Sequence, residues 1–191
     1  VDLFDFNING NTVDIHSELG IDKDSKIVMY TGHLYDWKGI DTLVSVSEII
    51  DKNINIVCIG GTDHDLQKYI SINNLNKNIK FIGNKPFNVI ADYMRSADAF
   101  IIPNSKKSLI SKSFTSPLKL FTYMAMQKPI IASDLPSIRE ILDDSMAYYY
   151  EPDDVNSCIQ AIKSSFINIK ESNKKVERSY EEVKKYSWSN R

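Results

Sequence analysis

The sequence predicts an α/β protein built on a doubly wound parallel sheet with helices on both faces. Three observations predict it. Short apolar runs, the first four of which stop at glycine or proline, alternate with segments of helical period about six times along the chain. Several of those runs are apolar on successive residues, as strands covered on both faces must be, and parallel sheets are covered in that way. With 42% hydrophobic and 25% charged residues in 191, the composition is that of a globular chain and excludes disorder as its main state.

The elements follow in order. Lys26–Thr31 (KIVMYT) is a buried strand that ends at Gly32. Ile40, Leu43, Val44 and Ile50 lie close to helical spacing and predict a helix over 40–50. Ile54–Ile59 (INIVCI) is a second buried strand, closed by Gly60 and Gly61, and Asp63–Ile72 has helical period. Lys80–Ile82 is a short strand ending at Gly83, Val89–Arg95 fits a helix, and Ala99–Ile102 is a strand stopped by Pro103. Asn104–Thr115 (NSKKSLISKSFT) is rich in Ser and Lys and reads as a mobile loop. Leu118–Met126 is a helix, Ile130–Ala132 a strand, Ser137–Leu142 a short helix and Ala147–Tyr150 the last strand. Val155–Ile167 and Glu171–Lys185 close the chain as helices, and no internal repeat is visible. Right-handed crossovers between such strands give a Rossmann-like domain.

Several function classes are excluded. Lys+Arg 23 against Asp+Glu 25 gives a net charge of -2, without the basic excess of a nucleic-acid binder. Cys58 and Cys158 show no CxxC spacing and read as buried thiols of a reducing compartment. His16, His33 and His64 have no ligand spacing with one another or with Cys, so no metal is expected. No run approaches the roughly 20 apolar residues of a membrane span. The opening VDLFDFNINGN lacks the basic and apolar regions of a leader and has no initiator Met. The expectation is a cytoplasmic domain cut from something longer.

In a doubly wound sheet, ligands bind beyond the carboxyl ends of the strands. Five loops lie there: 32–39, 60–65, 83–88, 104–117 and 133–137. In the first, TGHLYDWKGID, Gly32 permits a sharp turn and Lys38-Gly39 stands where the next helix begins. A Lys beside free helix N–H groups suits an anion; a solvated loop Lys fits the spacing equally well. In FTSPLKLFTYMA, Ser116 is a good N-cap and Pro117 suits the first helical position. Lys119 then falls in the first turn, where the helix dipole disfavours a cation by about 0.3–1 kcal/mol unless an anion binds. On spacing alone an ordinary surface Lys stays slightly ahead. Gly60-Gly61 reads as a tight turn rather than a dinucleotide fingerprint. Asp143-Asp144 and Asp153-Asp154 read as solvated turns or caps, and Tyr148–Tyr150 as core packing.

Taken together, the segments resemble the C-terminal domain of a family 4 retaining glycosyltransferase, one half of the GT-B fold. The matching pieces are VDLF, TGHLYDWKGIDTLV, INIVCIGG, KFIGNKP, ADAFIIPN, SPLKLFTYMAMQKPIIASDLPSIREIL and KKYSWSN, in the family's order and spacing over nearly the whole chain. The resemblance implies an interdomain linker over 1–22 and a nucleotide-sugar-binding domain over 23–191. The acceptor would be bound by an N-terminal domain absent from this chain. It implies that Gly32 opens the phosphate loop, that Lys38 and Lys119 stabilise the leaving diphosphate, and that Gly83, Asn84 and Lys85 lie beside the nucleobase. Ser116, Pro117 and Leu118 would complete the helix start that faces the diphosphate and sugar. Tyr186-Ser187-Trp188 would lie near the crossing back to the missing half.

Two departures stand out. His33 replaces the basic residue that usually follows the glycine of the first loop, and it is at best partly charged near neutral pH. Phe114 and Thr122 occupy the positions of the family's paired glutamates; the second normally accepts hydrogen bonds from the ribose, and a threonine hydroxyl is no substitute for two carboxylate oxygens. The implied function is transfer of a hexosyl group from a nucleotide-sugar donor to an acceptor with retention, in glycan biosynthesis. The resemblance further implies that no metal cofactor takes part and that the isolated chain is inactive. A non-catalytic glycosyltransferase-like partner or regulatory domain is the alternative, followed by a nucleotide-sugar epimerase. Membrane contact, if the acceptor is lipid-linked, would come through the missing half at the inner face of the membrane.

Overall fold

The computed structural model describes residues 2–3, 5–75, 78–109, 111 and 118–187. Six strands form one sheet: β1 (Lys26–Thr31), β2 (Ile54–Ile59), β3 (Ile79–Ile82), β4 (Ala99–Ile102), β5 (Ile130–Ser133) and β6 (Tyr148–Tyr150). Their spatial order is β3-β2-β1-β4-β5-β6 and every neighbouring pair is parallel. The order reverses between β1 and β4, which makes the carboxyl ends of those two strands the crevice of the fold. Val28 opposes Ile56 on one side and Ala99 on the other, so β1 lies inside the sheet.

The helices are α1 (Ile15–Leu19), α2 (Ile40–Ile49), α3 (Asp63–Leu75), α4 (Phe87–Arg95), α5 (Leu118–Ala125), α6 (Pro136–Arg139), α7 (Val155–Ile167) and α8 (Ile169–Val183). Successive strand residues feed opposite cores. Ile27 and Met29 join a cluster with Met94 of α4, Leu120 and Tyr123 of α5, Ile138 of α6 and Val183 of α8. Val28 and Tyr30 join another with Leu43 of α2, Tyr69 of α3 and Ile162 of α7. All six residues of β2 are buried, which is why INIVCI is apolar on both faces apart from Asn55.

Helix boundaries depart from the spacing by small amounts with local causes. Pro86 serves as N-cap of α4, so the helix begins at Phe87, two residues before Val89. Asn168 caps α8, its Oδ1 accepting from the Glu171 backbone N–H at 3.2 Å, and the helix therefore starts at Ile169 rather than Glu171. α8 ends at Val183, and Lys184–Tyr186 continues as a 3-10 turn. α6 covers only Pro136–Arg139, not Ser137–Leu142. The five-residue α1 lies where no element was expected, between an Asp14 cap and a left-handed Gly20. Asp154 caps α7 and Asp144 pairs with Arg139, in keeping with caps and solvated turns. Cys58 and Cys158 are buried free thiols. Among the described residues, no helix is long and apolar enough to cross a membrane.

Candidate functional site

Two glycine loops form the floor of the crevice. Gly60, at φ +126°, follows β2 and packs against the loop after β1; a Cβ there would stand 2.3 Å from the Gly32 carbonyl oxygen. Above this contact opens a cavity of about 490 Å³ lined by Thr31, Gly32, His33, Gly60, Gly61 and Thr62 on one side. Asn84, Lys85 and Thr122 stand at its rim, and Phe6, Phe87, Ile90 and Met94 make an apolar wall.

The two lysines singled out by the sequence are both withdrawn from solvent. Lys38 ends a 3-10 turn (Asp36–Lys38) and lies against Trp37, its Nζ 3.7 Å from the ring centroid. It is buried, and desolvation lowers its pKa to about 8. The solvated-loop reading of Lys38 is therefore set aside. Gly39 seats this turn: at φ +71°, a Cβ would stand 1.8 Å from the Pro103 carbonyl oxygen. The Ser105 backbone N–H donates to the Trp37 carbonyl at 3.0 Å, which ties the turn to the end of β4.

Lys119 corrects the reading that favoured an ordinary surface side chain. Its Nζ is buried, has no hydrogen-bond partner among the described residues, and sits 4.0 Å from the centroid of the Tyr30 ring. A Cβ placed on Gly32 would lie 2.8 Å from that Nζ, so the ammonium stands directly under the first loop. Desolvation lowers its pKa well below the ordinary lysine value, and the charge of Lys38 pushes the same way. Tyr30 is pinned from the other end, its hydroxyl donating to the His33 carbonyl at 2.5 Å.

The remaining site residues divide. His33 lines the cavity and stacks on Tyr35, ring centroids 4.9 Å apart at 7°. Lys85 is drawn sideways: its Nζ is 3.8 Å from the Glu18 Oε1 and 4.6 Å from the Tyr93 ring centroid. A hydrogen bond with Tyr93 chiefly raises its pKa, against some desolvation. Gly83 does not line the cavity; its Cα faces Leu66. Thr122 lines it, with its hydroxyl donating to the Lys119 carbonyl at 2.8 Å. Leu118 is exposed. Ser116, Pro117, Phe114 and Trp188 lie outside the described residues. So does much of the 104–115 loop. At its beginning, Asn104 and Ser105 are buried, and Lys106 pairs with Glu151 at 2.6 Å. That stretch is anchored, contrary to the expectation of a mobile loop from Asn104 onward. Tyr186 meets Phe121 of α5 with ring centroids 4.7 Å apart.

Sequence reasoning missed four contributors. Gly60 and Gly61 belong to the cavity and not merely to a turn, and Tyr30 and Trp37 carry the two ammonium groups. The signal for the glycines was present in INIVCIGG; nothing local marks Tyr30, because its partner lies 89 positions away. Among the described residues, no group of three or more His, Cys, Asp or Glu is placed to hold a metal ion.

The sequence model of the family described as "Glycosyl transferases group 1" matches residues 25–167. An uncharacterized glycosyltransferase of Methanocaldococcus jannaschii is 27% identical over 170 residues, covering 86% of this chain and 45% of the relative. The phosphatidyl-myo-inositol mannosyltransferase of Mycobacterium leprae is 29% identical over 192 residues, covering 95% and 49%. The chain thus spans about half the length of these curated relatives. Among solved structures, Anabaena Alr3699/HepE in complex with UDP-glucose aligns with a TM-score of 0.77 at 15% identity, covering 97% of this chain and 51% of that one. The C-terminal domain of a glycosyl transferase group 1 family protein (LpcC) from Francisella tularensis aligns with a TM-score of 0.70 at 21% identity, over 98% and 99%.

Proposed function

The chain belongs to the group 1 glycosyltransferase family, and we propose that it is the donor-binding half of such an enzyme. In this reading residues 23–191 hold a nucleotide-sugar and 1–22 lead to a second, N-terminal domain that binds the acceptor. The coverage of about half of each relative supports that division. The base lies in the cavity beside Asn84 and Lys85, and the diphosphate lies over Gly32 with Lys38 and Lys119 beneath it. Hexosyl transfer is favoured because relatives are named as mannosyltransferases and a structural neighbour holds UDP-glucose. The setting is glycan biosynthesis in the cytoplasm, at the inner membrane face where the acceptor is lipid-linked.

One observation carries the reading: the Lys119 ammonium, buried and with no hydrogen-bond partner among the described residues, directly under the loop that follows β1. A desolvated cation beside another, with glycine backbone above, is an unfinished site that a diphosphate would complete. During transfer the acceptor hydroxyl oxygen bonds to the anomeric carbon with retention of configuration, the diphosphate leaves with the electron pair of the broken bond, and the hydroxyl proton passes to the departing diphosphate. The charge gathers where two fixed ammonium groups wait, so the proposal needs no metal to neutralise it.

Titration calorimetry with UDP, GDP and ADP tests this. At least one should bind, more tightly than its monophosphate, and Lys119→Met should weaken it by about 1.5–3 kcal/mol, the range of a charge-assisted hydrogen bond. Equal binding of monophosphate and diphosphate, unaffected by the substitution, would overturn the assignment. One observation favours the non-catalytic alternative: the Thr122 hydroxyl is committed to the Lys119 carbonyl, where the family has a carboxylate for the ribose.

A further inference from the structure

The segment before α1 runs across α4, and Arg95 holds it there. Only 8% of the Arg95 side chain is exposed. Its Nε donates to the Asn7 carbonyl at 2.8 Å, Nη1 to the Asn11 carbonyl at 2.9 Å, and Nη2 to the Asp5 carbonyl at 3.3 Å. Asp92, one turn back on α4, accepts from the same guanidinium and offsets its charge. The segment passes so close that a Cβ on Gly10 would stand 2.5 Å from the Arg95 Cζ. A planar fork bound to three carbonyls fixes both the position and the orientation of what it grips.

What the grip positions is Phe6. This side chain is buried, joins the core cluster of α4 and α5, and reaches the cavity, where its ring meets that of Phe87 edge-on with centroids 5.5 Å apart at 77°. α4 therefore carries two working faces. Phe87, Ile90 and Met94, spaced i, i+3 and i+7, line the cavity; Asn88, Asp92 and Arg95 line the cleft at the segment, and Phe87, at the start of the helix, borders both. The wall bears no charge, and Phe87 is 67% exposed, so a ring surface is open to a ligand. The same cavity is lined by the glycine loops, with the Lys119 ammonium beneath Gly32. The arrangement suits a ligand with a flat, weakly polar ring at one end and an anion at the other.

We propose that Phe6 and Phe87 form the surface on which the base of the bound nucleotide packs, and that Arg95 is a positioning residue that keeps Phe6 in that surface. The proposal rests on reading the cavity as a nucleotide site and adds the residues that grip the base. Because an aromatic face offers no hydrogen-bond pattern, this wall supplies affinity without choosing among bases.

Calorimetry with two probes tests it: whichever of UDP, GDP and ADP binds the wild-type chain best, and inorganic pyrophosphate, which has no base. Phe87→Ala, at an exposed position that threatens folding least, should weaken the nucleoside diphosphate roughly tenfold, the scale of one base–aromatic stack. Phe6→Ala and Arg95→Gln should weaken it too, and Phe6→Tyr should restore wild-type binding. Pyrophosphate should bind all four variants within about twofold of wild type, a split that general damage to the fold would not produce. Unchanged nucleoside diphosphate binding in Phe87→Ala and Arg95→Gln, or equal losses for both probes, would overturn the assignment of the wall alone. A wild-type chain that takes up none of the three nucleoside diphosphates would overturn the nucleotide reading itself, and the wall with it.

Discussion

Lys38 makes the site sensitive to pH near neutrality. Burial lowers its pKa to about 8, so in the free protein its charge is lost as pH rises through that value, far below the ordinary lysine range. In the proposed site, a bound diphosphate would restore the preference for the charged form. Nucleoside-diphosphate affinity should therefore hold below about pH 7.5 and fall several-fold by pH 9, with net proton uptake on binding that calorimetry in two buffers of different ionisation enthalpy would reveal. Flat affinity over that range would contradict the role. Stability runs the opposite way: between about pH 8 and 10.5 the unfolded chain holds the Lys38 proton more tightly than the native one, so the burial penalty on stability is lifted as pH rises through that window. Thr122 offers a second test. Thr122→Glu restores a two-oxygen acceptor at the cavity rim and should improve binding of a ribose diphosphate by about 1–2 kcal/mol, with no gain for the 2′,3′-dideoxy analogue. A lower melting temperature with no gain in binding would favour the non-catalytic alternative. The placement of Thr122 on the cavity lining was legible from helical spacing. The depth of Lys119 was not, because what buries it is Tyr30, a residue on another strand.

At the scale of elements, the strands were read almost to the residue, since each is a mostly covered apolar run and the first four are closed by Gly32, Gly60, Gly83 and Pro103. Helix ends shifted where a cap outranked the apolar period, as Pro86 does for α4 and Asn168 for α8. Short α1 escaped because five residues give barely one period, although its Asp14 and Gly20 caps were in plain view. The 3-10 turn that carries Lys38 depends on a single close approach. Gly39→Ala would drive a methyl into the Pro103 carbonyl at a left-handed backbone position, and should cost several kcal/mol in denaturant unfolding while releasing Lys38 from Trp37. Wild-type stability in that variant would show that the junction between this turn and β4 is soft.

For the whole molecule, the strand order puts the helices on both sides and gathers five loops at one edge, which sequence periodicity alone could foresee. What periodicity could not show is that residues 5–11 join that edge, because carbonyls gripped by a distant arginine leave no pattern in side-chain hydropathy. The proposed division of labour has a direct consequence for the chain on its own. It should bind a nucleoside diphosphate but show no sugar transfer to an acceptor above the uncatalysed rate, measured by release of nucleoside diphosphate from a nucleotide-sugar. Turnover at an ordinary enzymatic rate by the 191 residues alone would place the acceptor site within them.

The clasp between Asn7 and Arg95 also sets an order of events during synthesis. Its two halves are 88 positions apart, and a ribosome adding about 5–20 residues per second leaves the early segment waiting for several seconds before its anchor emerges. By then β1, β2 and β3 have all been made and are able to pair, whereas β4 has not. Every residue of the clasp is therefore made before the last three strands and the terminal helices that complete the other half of the sheet.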